Sequence, residues 1–292
     1  MKTTFLIIGL LTLGSTVFAQ KEIQRCNFEK AKKEKKISFS GMVEHVRNHG
    51  YFQLKVKNTT KDSLALHVET GRIFYTASTS YQPFVVLRSR EIYLAPGEEK
   101  TTLLNTACGN ASAQSTGNGF KDLGKTEMGN PDLVAALEDV EAQRLGNHEG
   151  IQQLVWAFTN NHSVASIVSY TSGGMTNNPL QAIAAKHKRV PLPNYKVDYE
   201  ATADGSGLAF SGKPKHVESN LQFVLNQQED IRVVLRNEAG EIVKFVELIH
   251  GQKAGQLNLP VAIDLAGFSR GNYFLSAENS DGKCLNQTSI EI

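Results

Sequence analysis

Cysteine is scarce in this chain, with three residues in 292. That is too few for the disulfide-dense scaffolds on which small secreted domains depend. An excess of charge is also missing: 31 Lys and Arg stand against 29 Asp and Glu, a formal net of +2. A near-neutral chain has no electrostatic footprint for nucleic acid, so no nucleic-acid partner is expected. Beyond residue 20 no stretch approaches ~18 consecutive apolar residues, so no stable membrane span is expected. Catalytic signatures are absent too. There is no G-x-S-x-G elbow. Gly117-Asn118-Gly119 and Gly205-Ser206-Gly207 lack the later glycine of a phosphate loop. The histidines are scattered without zinc-ligand spacing, and His45 and His49 read as solvated turn residues. Glu138-Asp139 falls on the exposed side of a predicted helix. The expectation is a non-enzymatic protein with no cofactor and no metal. With 40% hydrophobic and 21% charged residues, the composition fits a folded chain of one large or two medium domains.

The first twenty residues, MKTTFLIIGLLTLGSTVFAQ, have a different character. Lys2 supplies a positive start, Phe5 to Leu13 is a short apolar run, and Val17-Phe18-Ala19 is a small-x-small cleavage site. This is the pattern of a secretory signal peptide over residues 1–19. It predicts a protein that is secreted or held at the cell surface, or periplasmic if no further export signal acts. Cys26, Cys108 and Cys284 all follow the cut, so an odd count leaves at least one thiol outside any intramolecular bridge. Pairing of Cys26 with Cys284 stays open.

Residues 20–36 are rich in lysine and read as a solvated arm or a short helix. From Ile37 apolar and polar residues alternate through 37–46, 51–58, 63–70, 84–94 and 101–106, with turn signals between them. Strands at this spacing, with no crossover helices, predict an antiparallel β-sandwich. Residues 109–129 are Gly-, Ser- and Asn-rich and read as a loop. Helices are expected from Asn130-Pro131 to Gly146, over 151–159 and over 179–189. Two prolines in VPLPN mark a linker at 191–194. Strand patterns then resume. The predicted fold is mainly β: a sandwich with helical insertions over 37–190, then a small Ig-like β-sandwich over 195–292.

The second unit holds three features in order. IRVVLRNEAGEIVKFVEL is a hairpin turning at Gly240. Ile263-Asp264-Leu265 precedes Gly271-Asn272-Tyr273-Phe274-Leu275. SAENSDGKCLNQTSIEI is a final hairpin with Asp281-Gly282 as its turn. This order resembles the C-terminal sorting domains of the type IX secretion system of Bacteroidota. The resemblance covers about residues 220–292 and rests on Gly240, Asp264, Gly271 and Tyr273. It implies a compact β-sandwich that engages export machinery at the outer membrane. Ser219-Asn220 stands where that family opens with Asn-Pro, and Ile290-Glu291-Ile292 replaces its basic end. A generic Ig-like module is therefore the alternative.

A second resemblance joins Cys108 to Ile151-Gln152-Gln153-Leu154-Val155-Trp156. The hexamer is similar to the Thr-Gln-x-Ala-Ile-Trp signature of thioester domains in bacterial surface adhesins. There an earlier cysteine condenses with the glutamine and ammonia leaves. The resemblance implies a thioester between Cys108 and Gln152, with Gln153 as the register alternative and Trp156 as a wall. The plain alternative makes Gln152 a polar helix residue, Trp156 a core anchor and Cys108 a buried thiol. The function expected from the whole sequence is an exported bacterial binding protein with an extracellular protein or glycan as ligand. A thioester adhesin and an unrecognised secreted hydrolase are the alternatives.

Overall fold

Alternation from Ile37 onward produces strands, as its period of two requires. A computed structural model describes residues 23–46, 49–115, 123–167, 178–200 and 213–292. The expected leader at 1–19, both glycine motifs noted above and the side chains of His45 and His49 lie outside what it describes. The described residues are mainly β, 50% strand and 17% helix.

The first unit begins with β1 (Gln24–Asn27) and α1 (Phe28–Lys33). It continues through β2 (Ile37–Val46), β3 (His49–Asn58), β4 (Leu64–Val68) and β5 (Arg72–Thr76). Next come β6 (Phe84–Val86), β7 (Arg90–Leu94), β8 (Glu99–Cys108) and β9 (Leu123–Met128). A six-stranded sheet runs in the order β2-β3-β8-β6-β5-β9, and a three-stranded sheet in the order β1-β4-β7. Leu64, Leu66, Ile92 and Leu94 of the small sheet meet Phe52, Leu54, Phe74 and Phe84 of the large one in a single core. Phe52 stacks between Phe74 and Phe84, at centroid distances of 4.9 and 5.3 Å. Gly41 is required beneath that ring: a Cβ there would lie 2.1 Å from Cζ of Phe52.

The lysine-rich segment is built into this sandwich rather than standing off as an arm. β1 lies parallel beside β4, and Phe28 and Ala31 of α1 are fully buried. Only those two residues point inward from the helix, so lysines dominate the sequence while the packing depends on the apolar pair. Residues 84–94, read as one strand, divide between the two sheets as β6 and β7. Phe84, Val85, Val86 and Leu87 are all buried, because β6 is covered on both faces and loses its alternation. The predicted loop at 109–129 contains β9, which pairs with β5.

Helices α2 (Pro131–Ala142), α3 (Ile151–Thr159) and α4 (Pro179–Lys188) form a third layer, with a 3-10 turn at Val164–Ser166. Asn130 caps α2 by accepting from the Leu133 N–H at 2.8 Å, and Pro131 fills the first turn, where its missing donor is harmless. The helix stops at Ala142 rather than running to Gly146, and Arg144 takes a left-handed φ of 60°. Leu133, Leu137, Leu154, Val155, Leu180 and Ile183 pack on Ile73, Val85, Leu87 and Ala107 of the large sheet. That sheet is thus the middle layer of three.

The second unit comprises β10 (Tyr195–Tyr199), β11 (Pro214–Leu225), β12 (Glu229–Arg236) and β13 (Ile242–Gln252). It ends with β14 (Gly255–Asp264), β15 (Asn272–Asn279) and β16 (Cys284–Glu291). Two sheets, β10-β11-β14 and β13-β12-β15-β16, enclose a core that includes Leu221, Phe223, Val233, Leu235, Leu275 and Ile290. Ala165 of the 3-10 turn inserts into the same core. The helical layer and the second sandwich therefore share packing across the Val190–Asn194 connection.

Candidate functional site

Two places gather polar groups that the packing alone does not explain. The first joins Cys108 to Gln152. Cys108 ends β8, where β6 pairs on one side and β3 has already stopped at Tyr51–Asn105. Gln152, in the first turn of α3, fills the vacant side. Its carboxamide accepts from the Cys108 N–H at 2.9 Å and donates to the Cys108 C=O at 2.7 Å. A side-chain amide thus replaces the next strand, since it carries the same donor and acceptor as a peptide unit. The Cys108 thiol is free, and burial pushes its pKa up to about 11. It is protonated at neutral pH, which suppresses nucleophilic attack. The structure brings Gln152 to Cys108, through the cysteine's backbone; Gln153 makes no hydrogen bond to it.

Trp156 lies one turn further along α3 and is buried. Its ring meets His162 edge-on at 5.8 Å. His162 in turn stacks on Tyr199 of β10 at 6.4 Å, and Arg270 sits over Tyr199 at 5.9 Å. Trp156 therefore belongs to a column of rings at the junction of the two units. Burial, with Arg270 and Lys188 adding to it, lowers the His162 pKa to about 4. Lys188 donates to the carbonyls of Ala157 and His162 and to Asn161 Oδ1. It supplies the positive charge that the last turn of α3 lacks.

The second place is a cleft of about 720 Å³ between α4 and the second sandwich. Its walls are Asn178, Pro179, Gln181 and Ala182 from the helix, Leu192, Pro193 and Asn194 from the connection, and Asn220, Gln222 and Asn286 from β11 and β16. Six of those ten side chains are carboxamides and none is charged. Asn178 is already used, capping α4 and donating to the Ile167 carbonyl. Asn194 donates to Thr288, and Asn286 donates to the Gln222 carbonyl. Gln181, Asn220 and Gln222 are different: among the described residues their side-chain amides have no hydrogen-bond partner. Gln181 is only 6% exposed, so its amide reaches solvent through the cleft. These amides are open to the cleft, where a polar ligand could take the place of solvent.

The sorting-type residues have conformational roles. Gly240 takes φ +81° in the turn between β12 and β13, and its carbonyl accepts from Arg236 at 2.8 Å. Asp264 accepts from the Ala266 N–H at 2.9 Å. Gly271, at φ +155°, exchanges two backbone hydrogen bonds with Ile292. The Tyr273 hydroxyl donates to the Ser269 carbonyl, and its ring packs against Phe268. Asn272 donates to Glu238, which ties the start of β15 to the Gly240 turn. Cys26, buried in the first core, and exposed Cys284 are both free thiols.

The sequence reading missed the cleft because its walls come from three separate segments. One local signal was available. Asn220 and Gln222 sit inside a twelve-residue strand, where carboxamides are disfavoured unless they serve another purpose. Among the described residues there is no group of three or more His, Cys, Asp or Glu placed to hold a metal ion. No described helix is long and apolar enough to cross a membrane. No protein-family model matches this chain, and no curated protein matches it.

Proposed function

We propose that this chain is an exported, non-enzymatic bacterial binding protein that holds an uncharged ligand in the cleft between its helical layer and its second sandwich. The observation that carries this reading is the set of unpartnered amides of Gln181, Asn220 and Gln222 in a cleft that has no charged side chain among the described residues. A volume of about 720 Å³ is within the usual range of small-ligand sites. The signal-peptide pattern supports action outside the cytoplasm, secreted or at the cell surface. The resemblance of residues 220–292 to sorting domains supports a second role for that unit in export. Binding is tested by titrating the mature chain with uncharged and charged probes, in parallel with Gln222→Ala. Uptake of an uncharged probe that weakens in the variant supports the reading; binding that ignores the variant rejects it. Export is tested with a fusion carrying residues 195–292 in a type IX-competent host, where retention in the periplasm rejects the sorting role.

The proximity of Cys108 and Gln152, through the cysteine's backbone, leaves a second reading, a thioester adhesin. The thiol would replace the amine of the Gln152 carboxamide, forming an S–C bond and releasing ammonia. Intact mass of the native protein decides it: a mass lower by one ammonia, restored in Cys108→Ala after allowing for the substitution, supports the bond. The full mass rejects it.

A further inference from the structure

The cleft does not end at the connection between the units. A second cavity of about 440 Å³ lies beyond it and shares Leu192, Pro193 and Asn194 as a common wall. Its far side is Asn272 with Gln287, Thr288 and Ser289 of β16. Asn286 faces the first cavity and Gln287 to Ser289 the second, so one edge strand runs past both. We infer that the two cavities are successive subsites for a single neutral oligosaccharide chain that crosses the 192–194 segment. This deepens the binding reading above and rests on it.

The chemistry selects the ligand class. Each carboxamide carries both a donor and an acceptor at the end of a short arm. Sugar hydroxyls also donate and accept, and they occur in adjacent pairs, so a field of amides can meet them without matching charge. Gln181, from a mostly covered position on α4, lines the first subsite with an amide that no group among the described residues engages. Asn220 and Gln222 stand two residues apart on one face of β11, at strand spacing. The apolar part of the wall is Pro179, Ala182, Leu192 and Pro193, aliphatic surface that can meet the C–H face of a pyranose ring. Among the described residues neither cavity has a lysine, arginine or histidine in its wall, and the second carries Glu291. Polyanions such as nucleic acid or sulfated glycans find no cation to hold them. Peptide recognition at a strand edge draws specificity from pockets for alternate side chains, and among the described residues no aromatic side chain lines the first cavity.

The test uses the ¹⁵N-labelled mature chain and reads its side-chain amide resonances. The probes are hexasaccharides of β-1,4-glucose, α-1,4-glucose, β-1,3-glucose, β-1,4-xylose, β-1,4-mannose and β-1,4-N-acetylglucosamine, with an uncharged Gly-Ser-Asn peptide as control. The expected result is that at least one sugar shifts the amides of Gln181, Gln222 and Gln287 together, with a Kd of about 1 mM or tighter. Gln222→Ala should weaken that sugar about tenfold, and Asn220→Ala should do likewise; the spectra report whether each variant is folded. Shifts confined to one cavity would overturn the two-subsite chain. If the peptide moves these amides and no sugar does, the ligand class falls while the binding cleft stands. If no probe moves them, or if shifts persist unchanged in both variants, both the class and the cleft assignment fall.

Discussion

Acidification from pH 7 to pH 5 should destabilise the folded chain by about 2 kcal/mol through His162 alone. The ring is 4% exposed and is packed between Trp156 and Tyr199, with Arg270 and Lys188 as the nearby cations. Its pKa falls from the ordinary 6.5 to about 4, chiefly through burial. Below pH 6.5 the unfolded chain therefore binds a proton that the folded chain refuses, so stability drops as pH falls and levels off once pH is below about 4. One pKa unit corresponds to about 1.4 kcal/mol, and most of the 6.5-to-5 interval is traversed. Trp156 is the one tryptophan in the sequence and touches the ring in question, so its fluorescence follows this junction directly. Urea unfolding at pH 7 and pH 5 should show the loss in the native chain. The same pair of measurements on His162→Phe, which keeps an aromatic ring without a titrating nitrogen, should show a loss smaller by about 2 kcal/mol. Equal pH dependence in both proteins would refute the assignment of the burden to His162.

Three further outcomes follow from the packing. At pH 8 the Cys108 thiol, with its pKa of about 11, should be about one part in a thousand thiolate. A thiol reagent should therefore modify exposed Cys284 first and reach Cys108 only after denaturation; equal rates in the native state would count against the buried protonated thiol. Glu278, whose side chain is 4% exposed, is held by Arg232 and Arg236, which keep its carboxyl below the usual range against the opposing effect of burial. Glu278→Gln should cost about 2 kcal/mol in urea unfolding, and a change under 0.5 kcal/mol would place this cluster among the uncoupled surface pairs. Gly41→Ala should cost about 1–3 kcal/mol by pressing a methyl group into Phe52; adding Phe52→Leu should recover part of that loss, and no recovery would locate the strain elsewhere.

Periodicity carried much of the architecture. The α3 boundaries, Ile151 to Thr159, coincide with the expected stretch, because a short apolar run and a following Asn-Asn pair delimit it. β2 also matches the expected 37–46, since it has a single buried face and alternation survives. The pattern failed where a strand has two covered faces, as in β6, and it left arm and short helix open for residues 20–36, because only Phe28 and Ala31 of α1 face the core. β9 was hidden in a polar loop because Leu123 to Met128 offers only Thr126 as a buried residue. The Cys108–Gln152 approach was legible as a sequence pair, although the contact runs through the backbone. The amide cleft was not legible, because no local pattern brings α4 to β11 and β16.

The covered middle sheet has a consequence for how this protein comes apart. Ile73, Val85, Leu87 and Ala107 face the helices while Phe74, Phe84 and Val86, next to them in the chain, face the other core. Lifting the helices away would expose one side of the strands whose other side holds the phenylalanine stack. Hydrogen exchange at β5, β6 and the end of β8 should thus track global unfolding, with both layers released in a single event. A shortened chain that kept only the two sheets would carry an apolar wall to solvent and would be expected to associate through it.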